Sequence, residues 1–171
     1  MLECEEKYTA AHPCLRMRGA NINATFRGKE AMKTVLIIDN SREFRESLRA
    51  VLEDQGVEVV ESDCPDSAYK ILFTMEPPDL IVCDLWMPYT TGPKMSDYKA
   101  SCEVGLRTMH ELAWVFPDTP VIALAGLEEQ DLNRLRRFLS PIPAYPKTGN
   151  VYQAADIVQG FLESVDLGGV Q

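Results

Sequence analysis

Leu80-Ile81-Val82-Cys83-Asp84-Leu85-Trp86-Met87-Pro88 sets four apolar residues in a row, then an aspartate, then a turn closing on proline. The same shape occurs twice more: Val35 to Ile38 stops at Asp39, and Tyr145-Pro146 stops at Lys147. Short apolar runs alternating with helical periods predict an α/β chain with a parallel sheet. In such sheets ligands bind outside the carboxyl ends of the strands, near the point where strand order reverses. Two carboxylates and one ammonium should therefore meet at one sheet edge, and these strand-end residues outrank the other charges as functional candidates.

The flanking segments fit this frame. Ser41 is placed as an N-cap, Phe44, Leu48, Val51 and Leu52 recur at helical spacing, and Gly56 follows as a stop. Val57 to Val60 reads as the second strand. Pro65 opens a helix carrying Ala68, Ile71, Leu72 and Met75, which Pro77-Pro78 terminates. A helix from about Val104 to Phe116 buries Met109, Leu112, Ala113 and Phe116, and Pro117 to Pro120 turns the chain into the strand Val121 to Ala125. Leu132, Leu135, Phe138 and Leu139 mark the fourth helix. A fifth strand near Ile142 to Tyr145, flanked by Pro141, Pro143 and Pro146, belongs at the sheet border because proline is tolerated only there. Val151 to Val165 carries the last helix.

Length and composition bound the rest. The chain has 171 residues, enough for one domain with a core that needs no disulfide or metal. Residues 1–31 keep no sustained period and read as a flexible arm, residues 32–166 as the compact domain, and 167–171 as a tail. The five cysteines are widely spaced, without a Cys-x-x-Cys pair, and read as reduced thiols of a cytoplasmic protein. Cys4, His12 and Cys14 match no zinc spacing. No apolar stretch reaches the ~20 residues of a membrane span, and no signal core opens the chain. A net charge of −9 argues against nucleic acid as ligand, and Arg134, Arg136 and Arg137 read as a solvated helix face.

With Asp39, the Asp84-to-Pro88 turn closed by Gly92, and Lys147 in this order, the segment from Lys33 to about Val165 resembles a receiver domain of bacterial two-component response regulators. The resemblance implies a doubly wound, flavodoxin-like sheet of five parallel strands in the order 2-1-3-4-5. It implies that Asp84 takes a phosphoryl group from a histidine kinase or phosphotransfer protein, and that Lys147 neutralises a phosphoryl oxygen. Mg²⁺ would be held by Asp39, Asp84 and the Trp86 backbone carbonyl. Several positions depart from the family pattern. Asn40 stands where a second acid contacts the metal, so it is expected to be a weak ligand and Mg²⁺ to bind weakly. Ala125 replaces the switch Thr or Ser at the end of the fourth strand, and Ala144 replaces the switch aromatic, with Tyr145 one place away. Trp86 and Leu127 fall where polar residues flank the path of hydrolytic water. Between Gly92 and Val104 the chain is longer than usual, read either as a binding loop or as an extension of the next helix.

The reading is then a stand-alone, atypical receiver that is not an enzyme and signals through a separate output protein. The family's partner or homodimer surface, formed by the fourth helix, fifth strand and fifth helix, would here carry the three arginines. Two alternatives stand beside it: a pseudo-receiver that binds its partner without phosphate, and a small metal-dependent phosphatase, which would lack a general acid/base beside Asp84.

Overall fold

A computed structural model describes residues 32–91, 100–147 and 150–166. The arm expected over 1–31, the tail 167–171, and Gly92 to Lys99 of the long loop lie outside the described residues. The element order is β1 (Thr34–Ile38), α1 (Arg42–Asp54), β2 (Glu58–Ser62), α2 (Pro65–Leu72), β3 (Leu80–Asp84), α3 (Cys102–Val115), β4 (Val121–Ala125), α4 (Glu129–Leu139), β5 (Ala144–Pro146) and α5 (Val151–Asp166). All strand pairs are parallel, and the order across the sheet is β2-β1-β3-β4-β5, as the receiver resemblance implies.

The continuous apolar runs follow from a sheet covered on both faces. Successive side chains on a strand point to opposite sides, so Val35, Ile37, Leu80, Val82, Ile122 and Leu124 pack with Leu48 and Leu52 of α1 and Ala155 and Val158 of α5. Leu36, Ile38, Ile81, Cys83, Ala123 and Ala125 pack on the other face with Ala68 of α2, Met109 and Leu112 of α3, and Leu132 of α4. Helix ends obey local chemistry. The Ser41 hydroxyl accepts the Phe44 N–H at 3.3 Å, the Ser101 hydroxyl caps α3 through the Val104 N–H at 3.4 Å, and Gly56 takes φ = 81° just after α1, a conformation that costs glycine little.

Several expectations need correction. Helix α2 ends at Leu72, so Met75 lies beyond it. Helix α3 begins at Cys102 rather than Val104, so the long segment lends the helix two residues. Ala113 and Phe116 are half-buried rather than buried. Phe138 is 53% exposed: the buried stripe of α4 runs through Leu132 and Leu139, and a residue next to Leu139 sits about 100° off it. Arg136 is not simply solvated, since its Nη2 donates to the Ala144 carbonyl at 3.0 Å. Strand β5 starts two residues late and includes Pro146. Ala144 and Pro146 turn their backbone groups away from β4, while Pro143 O accepts Ala123 N–H at 2.8 Å and Lys147 N–H donates to Ala125 O at 2.6 Å. A proline at 146 therefore costs no ladder bond, and Arg136 caps an outward carbonyl of this edge.

Candidate acidic site at the carboxyl edge of the sheet

β1 and β3 are neighbours with β2 on the far side of β1, so strand order reverses between them. Asp39 follows β1 and Asp84 ends β3, which brings both to that reversal point. Asp39 is 1% exposed and Asp84 5%. Lys147, just past β5, reaches over them: its Nζ lies 2.5 Å from Asp39 Oδ2 and 3.0 Å from Asp84 Oδ1. The convergence expected from three separate strand ends is thus present as two buried carboxylates under one half-buried ammonium.

Each member is held from several sides. Asp39 Oδ1 accepts the Ser41 N–H at 2.8 Å, and Asp84 Oδ1 accepts the Leu85 N–H at 2.8 Å. Lys147 Nζ lies 4.8 Å from the centroid of the Phe44 ring, a cation–π contact from the first turn of α1. Burial pushes the Asp84 carboxyl above its ordinary range; Lys147 opposes this, and the neighbouring Asp39 charge adds to it. A carboxylate costly to keep charged in a partly desolvated pocket is a mark of functional sites. The Cys83 thiol is pushed far up by burial, so it is inert packing beneath Asp84.

The remaining sequence-derived positions fall around this triad. Asn40 is exposed beside Asp39. Trp86, 53% exposed, follows Asp84 by two residues on the same turn. Leu127 is half-buried and packs on the α3–α4 side of the core. Ala125 and Ala144 are both buried in that same cluster, whereas Tyr145 faces the other way and meets Phe161 edge-on at 6.0 Å. Tyr145 therefore does not stand in for an aromatic at position 144.

Three contributors escaped the sequence reading. In the sequence Phe44 reads only as one of the residues at helical spacing in α1. Arg45 Nη1 donates to the Asp39 carbonyl at 2.5 Å, and its Nε approaches Glu61 at 4.0 Å, placing a half-buried cation under the first strand end; in sequence it is one more polar residue of α1. Gly105 is the third: a Cβ there would lie 2.2 Å from the Leu85 carbonyl oxygen and 2.7 Å from its Cα. Only glycine lets α3 rest directly on the turn that carries Asp84. The antiparallel bridge between Met87 and Ser101 holds the same turn from the other side.

The Asp39 and Asp84 carboxylates, with the Asn40 amide and the Trp86 carbonyl next to them along the chain, are oxygen donors of the kind a hard cation such as Mg²⁺ would take. Their combined charge is low. Among the described residues no group of three or more acidic, histidine or cysteine ligands is gathered, and Lys147 already neutralises one of the two carboxylates. Among the described residues, too, no helix is long and apolar enough to cross a membrane, and the three described cysteines, Cys64, Cys83 and Cys102, are free.

Comparison with known proteins agrees with this geometry. The family model for the response regulator receiver domain matches residues 35–138. The chain is 30% identical over 99 residues to the phosphate regulon transcriptional regulatory protein PhoB of Pseudomonas aeruginosa, covering 58% of this chain and 38% of that regulator. Among solved structures, a response regulator from Thermotoga maritima shares 20% identity at TM-score 0.59, over 77% of this chain and 98% of its own. TrrA from the same organism, in complex with Mg²⁺-BeF, shares 21% identity at TM-score 0.58, over 76% and 99%. A CheY-like receiver domain protein from Methanospirillum hungatei shares 16% identity at TM-score 0.61, over 81% and 100%. At these identities the structural likeness establishes the fold.

Proposed function

Because the chain belongs to the response regulator receiver family of two-component systems, we propose that it accepts a phosphoryl group on Asp84 and signals, in the cytoplasm, by binding a separate partner rather than by turnover. The observation that carries this is the triad: one ammonium contacts both carboxylates at 2.5 and 3.0 Å in a buried pocket. A phosphoryl group arriving from a histidine kinase or phosphotransfer donor meets Asp84 as nucleophile, and the donor's bond to phosphorus breaks as the aspartyl bond forms. Lys147 then transfers its contact to a phosphoryl oxygen.

Bound Mg²⁺ would supply charge neutralisation for the entering phosphoryl oxygens, and a solved neighbour is complexed with Mg²⁺-BeF. Asp39, Asp84 and the Trp86 carbonyl are the residues to hold the ion here, with Asn40 contributing an oxygen but no charge. Ser41 N–H and Arg45 keep Asp39 fixed for that role. The site is therefore read as a working but weak metal receiver.

A second reading, phosphate-independent partner binding, is favoured by the opposite end of the switch. Buried Ala125 and Ala144 offer neither a hydroxyl for the phosphoryl group nor an aromatic ring to follow it, and Arg136 ties α4 to β5. A modification that makes no differential contacts shifts no equilibrium. Intact mass after incubation with acetyl phosphate and Mg²⁺ separates the cases. A single phosphoryl gain that Asp84→Asn abolishes supports the receiver; no gain, with partner binding retained, supports the second reading; turnover of a phosphomonoester would support an enzyme instead.

A further inference from the structure

The turn that carries Asp84 is fastened at its far end by the junction of β2 and α2. Cys64 precedes α2 as its N-cap residue but makes no side-chain cap bond. The Asp66 N–H, in the first turn of α2, donates instead to the Tyr89 carbonyl at 3.1 Å, so the helix takes its cap from the Asp84 turn. Two residues further on, the Thr91 hydroxyl donates to Asp63 Oδ2 at 2.7 Å, and Cys64 Sγ lies 3.8 Å from the same hydroxyl. Burial pushes the Asp63 carboxyl up, but hydrogen bonds from Thr91 and Cys64 outweigh it and leave the group below its ordinary range. Asp63 is therefore charged at neutral pH, and a hydroxyl given to a charged carboxylate makes a short, strong bond. The other acid is held by the same loop. Ser62 O accepts the Asp39 N–H at 3.0 Å, and the buried Ser62 hydroxyl donates to the Cys64 carbonyl at 2.8 Å, which stiffens the loop between them.

We propose that Asp63 and Thr91 are positioning residues for phosphoryl transfer: their bond fixes the Asp84 turn against the loop that also holds Asp39, and so sets the spacing of the two carboxylates. The inference rests on Asp84 being the phosphoacceptor. The ladder between β1 and β3 ends at Ile38 and Cys83, one residue short of both acids, and the clasp takes over where the ladder stops. Spacing matters here because Lys147 Nζ contacts both carboxylates at once, at 2.5 and 3.0 Å. A reacting group works best when held within about 0.5 Å of its productive place by hydrogen-bonded supports. The neighbouring Thr90 offers a contrast. Its hydroxyl reaches Asp66 Oδ2 and the Thr91 carbonyl only at 3.5 Å, too far for a firm bond. Asp63 could serve instead as a negative charge near the N-terminus of α2, but that role would not involve Thr91.

The test follows acetyl phosphate labelling of the full chain by intact mass at saturating Mg²⁺, with circular dichroism to verify that each variant is folded. Thr91→Val and Asp63→Ala should each slow labelling by about tenfold, the scale of a slight misplacement of a reacting group. Thr91→Ser, which keeps the hydroxyl, should restore the rate, and Thr90→Val should leave it unchanged. Combining Thr91→Val with Asp63→Ala should slow labelling no further than either alone, because both remove the same bond. Amide hydrogen exchange should quicken at Leu85 and Asp66 in Thr91→Val, whereas a merely structural role would lower stability without moving the rate of the folded protein. Native rates in both single variants, an equal loss in Thr90→Val, no recovery in Thr91→Ser, or additive losses in the double variant overturn the inference. So does slow labelling in Asp63→Ala alone, which would assign Asp63 to the helix terminus. If the native chain gains no phosphoryl group, the receiver reading fails and this role with it, an outcome distinct from labelling that ignores Thr91.

Discussion

Gly105→Ala should damage both the fold and the site, because it drives a methyl group into backbone. The added Cβ would meet the Leu85 carbonyl oxygen at 2.2 Å, where real contacts begin at 3.0–3.4 Å. Helix α3 or the β3–α3 turn must therefore retreat by about 1 Å, and backbone cannot rotate away as a flexible side chain would. Overpacking of this kind costs about 1–3 kcal/mol, while alanine returns up to about 1 kcal/mol of helix propensity. The net expectation is a loss of about 1–2 kcal/mol in urea unfolding followed by far-UV circular dichroism. Gly160→Ala in α5 is the matched control. Nothing lies within 4 Å of its Cβ, so it should stabilise by about 0.5–1 kcal/mol. Leu85 N–H also holds Asp84 Oδ1, so moving this turn should slow acetyl phosphate labelling by about tenfold or more, as misplacement of a reacting group by about 1 Å does. If Gly105→Ala gained stability as Gly160→Ala does and labelled at the native rate, the close approach of α3 to the phosphoacceptor turn would be wrong.

Asp84→Asn should raise the melting temperature at pH 7 without metal by about 2–4 °C, equivalent to about 1 kcal/mol. The sign follows from burial: Asp84's folded pKa lies above its unfolded value, so its favourable contribution is complete at low pH and is lost as pH rises through the folded value. The advantage of the variant should accordingly vanish as pH falls below the ordinary carboxylate range. Asn40→Asp should tighten Mg²⁺ by restoring a third charge, read from a titration of Trp86 fluorescence; equal affinities would remove the charge argument. Phospho-Asp84 should be long-lived, since neither Trp86 nor Leu127 can orient water, and Trp86→Asn with Leu127→Glu should speed loss of the phosphoryl mass by about tenfold. Leu127 packs in the core, so Trp86→Asn alone is the cleaner comparison, and an unchanged decay in both variants would place control of water elsewhere.

The sheet was legible because every central strand is buried on both faces and reads as an unbroken apolar run. Strand β5 was less so: Pro141, Pro143 and Pro146 announce an edge, but which residue enters the ladder depends on which backbone groups face β4. Asp39, Asp84 and Lys147 were legible because strand ends converge whatever lies between them. Phe44, Arg45 and Gly105 were not, since each acts through a partner remote in sequence or a backbone distance. Gly105 shows the limit most clearly: within a helical pattern a glycine reads as a cost, and only the 2.2 Å approach to Leu85 gives it a purpose. Phe138 failed for the reverse reason, an apolar side chain that counts toward a core in composition but lies off the stripe that α4 buries.

Trapping and mapping the aspartyl phosphate tests the central claim most directly. After exposure to acetyl phosphate and Mg²⁺, reduction with borohydride converts a phosphorylated aspartate to homoserine, which peptide mass spectrometry locates. Homoserine at position 84, absent without donor and sharply reduced in Lys147→Ala, is the predicted result. Homoserine at another aspartate, or none at position 84 while Mg²⁺ is demonstrably bound, would contradict the assignment of Asp84 as phosphoacceptor.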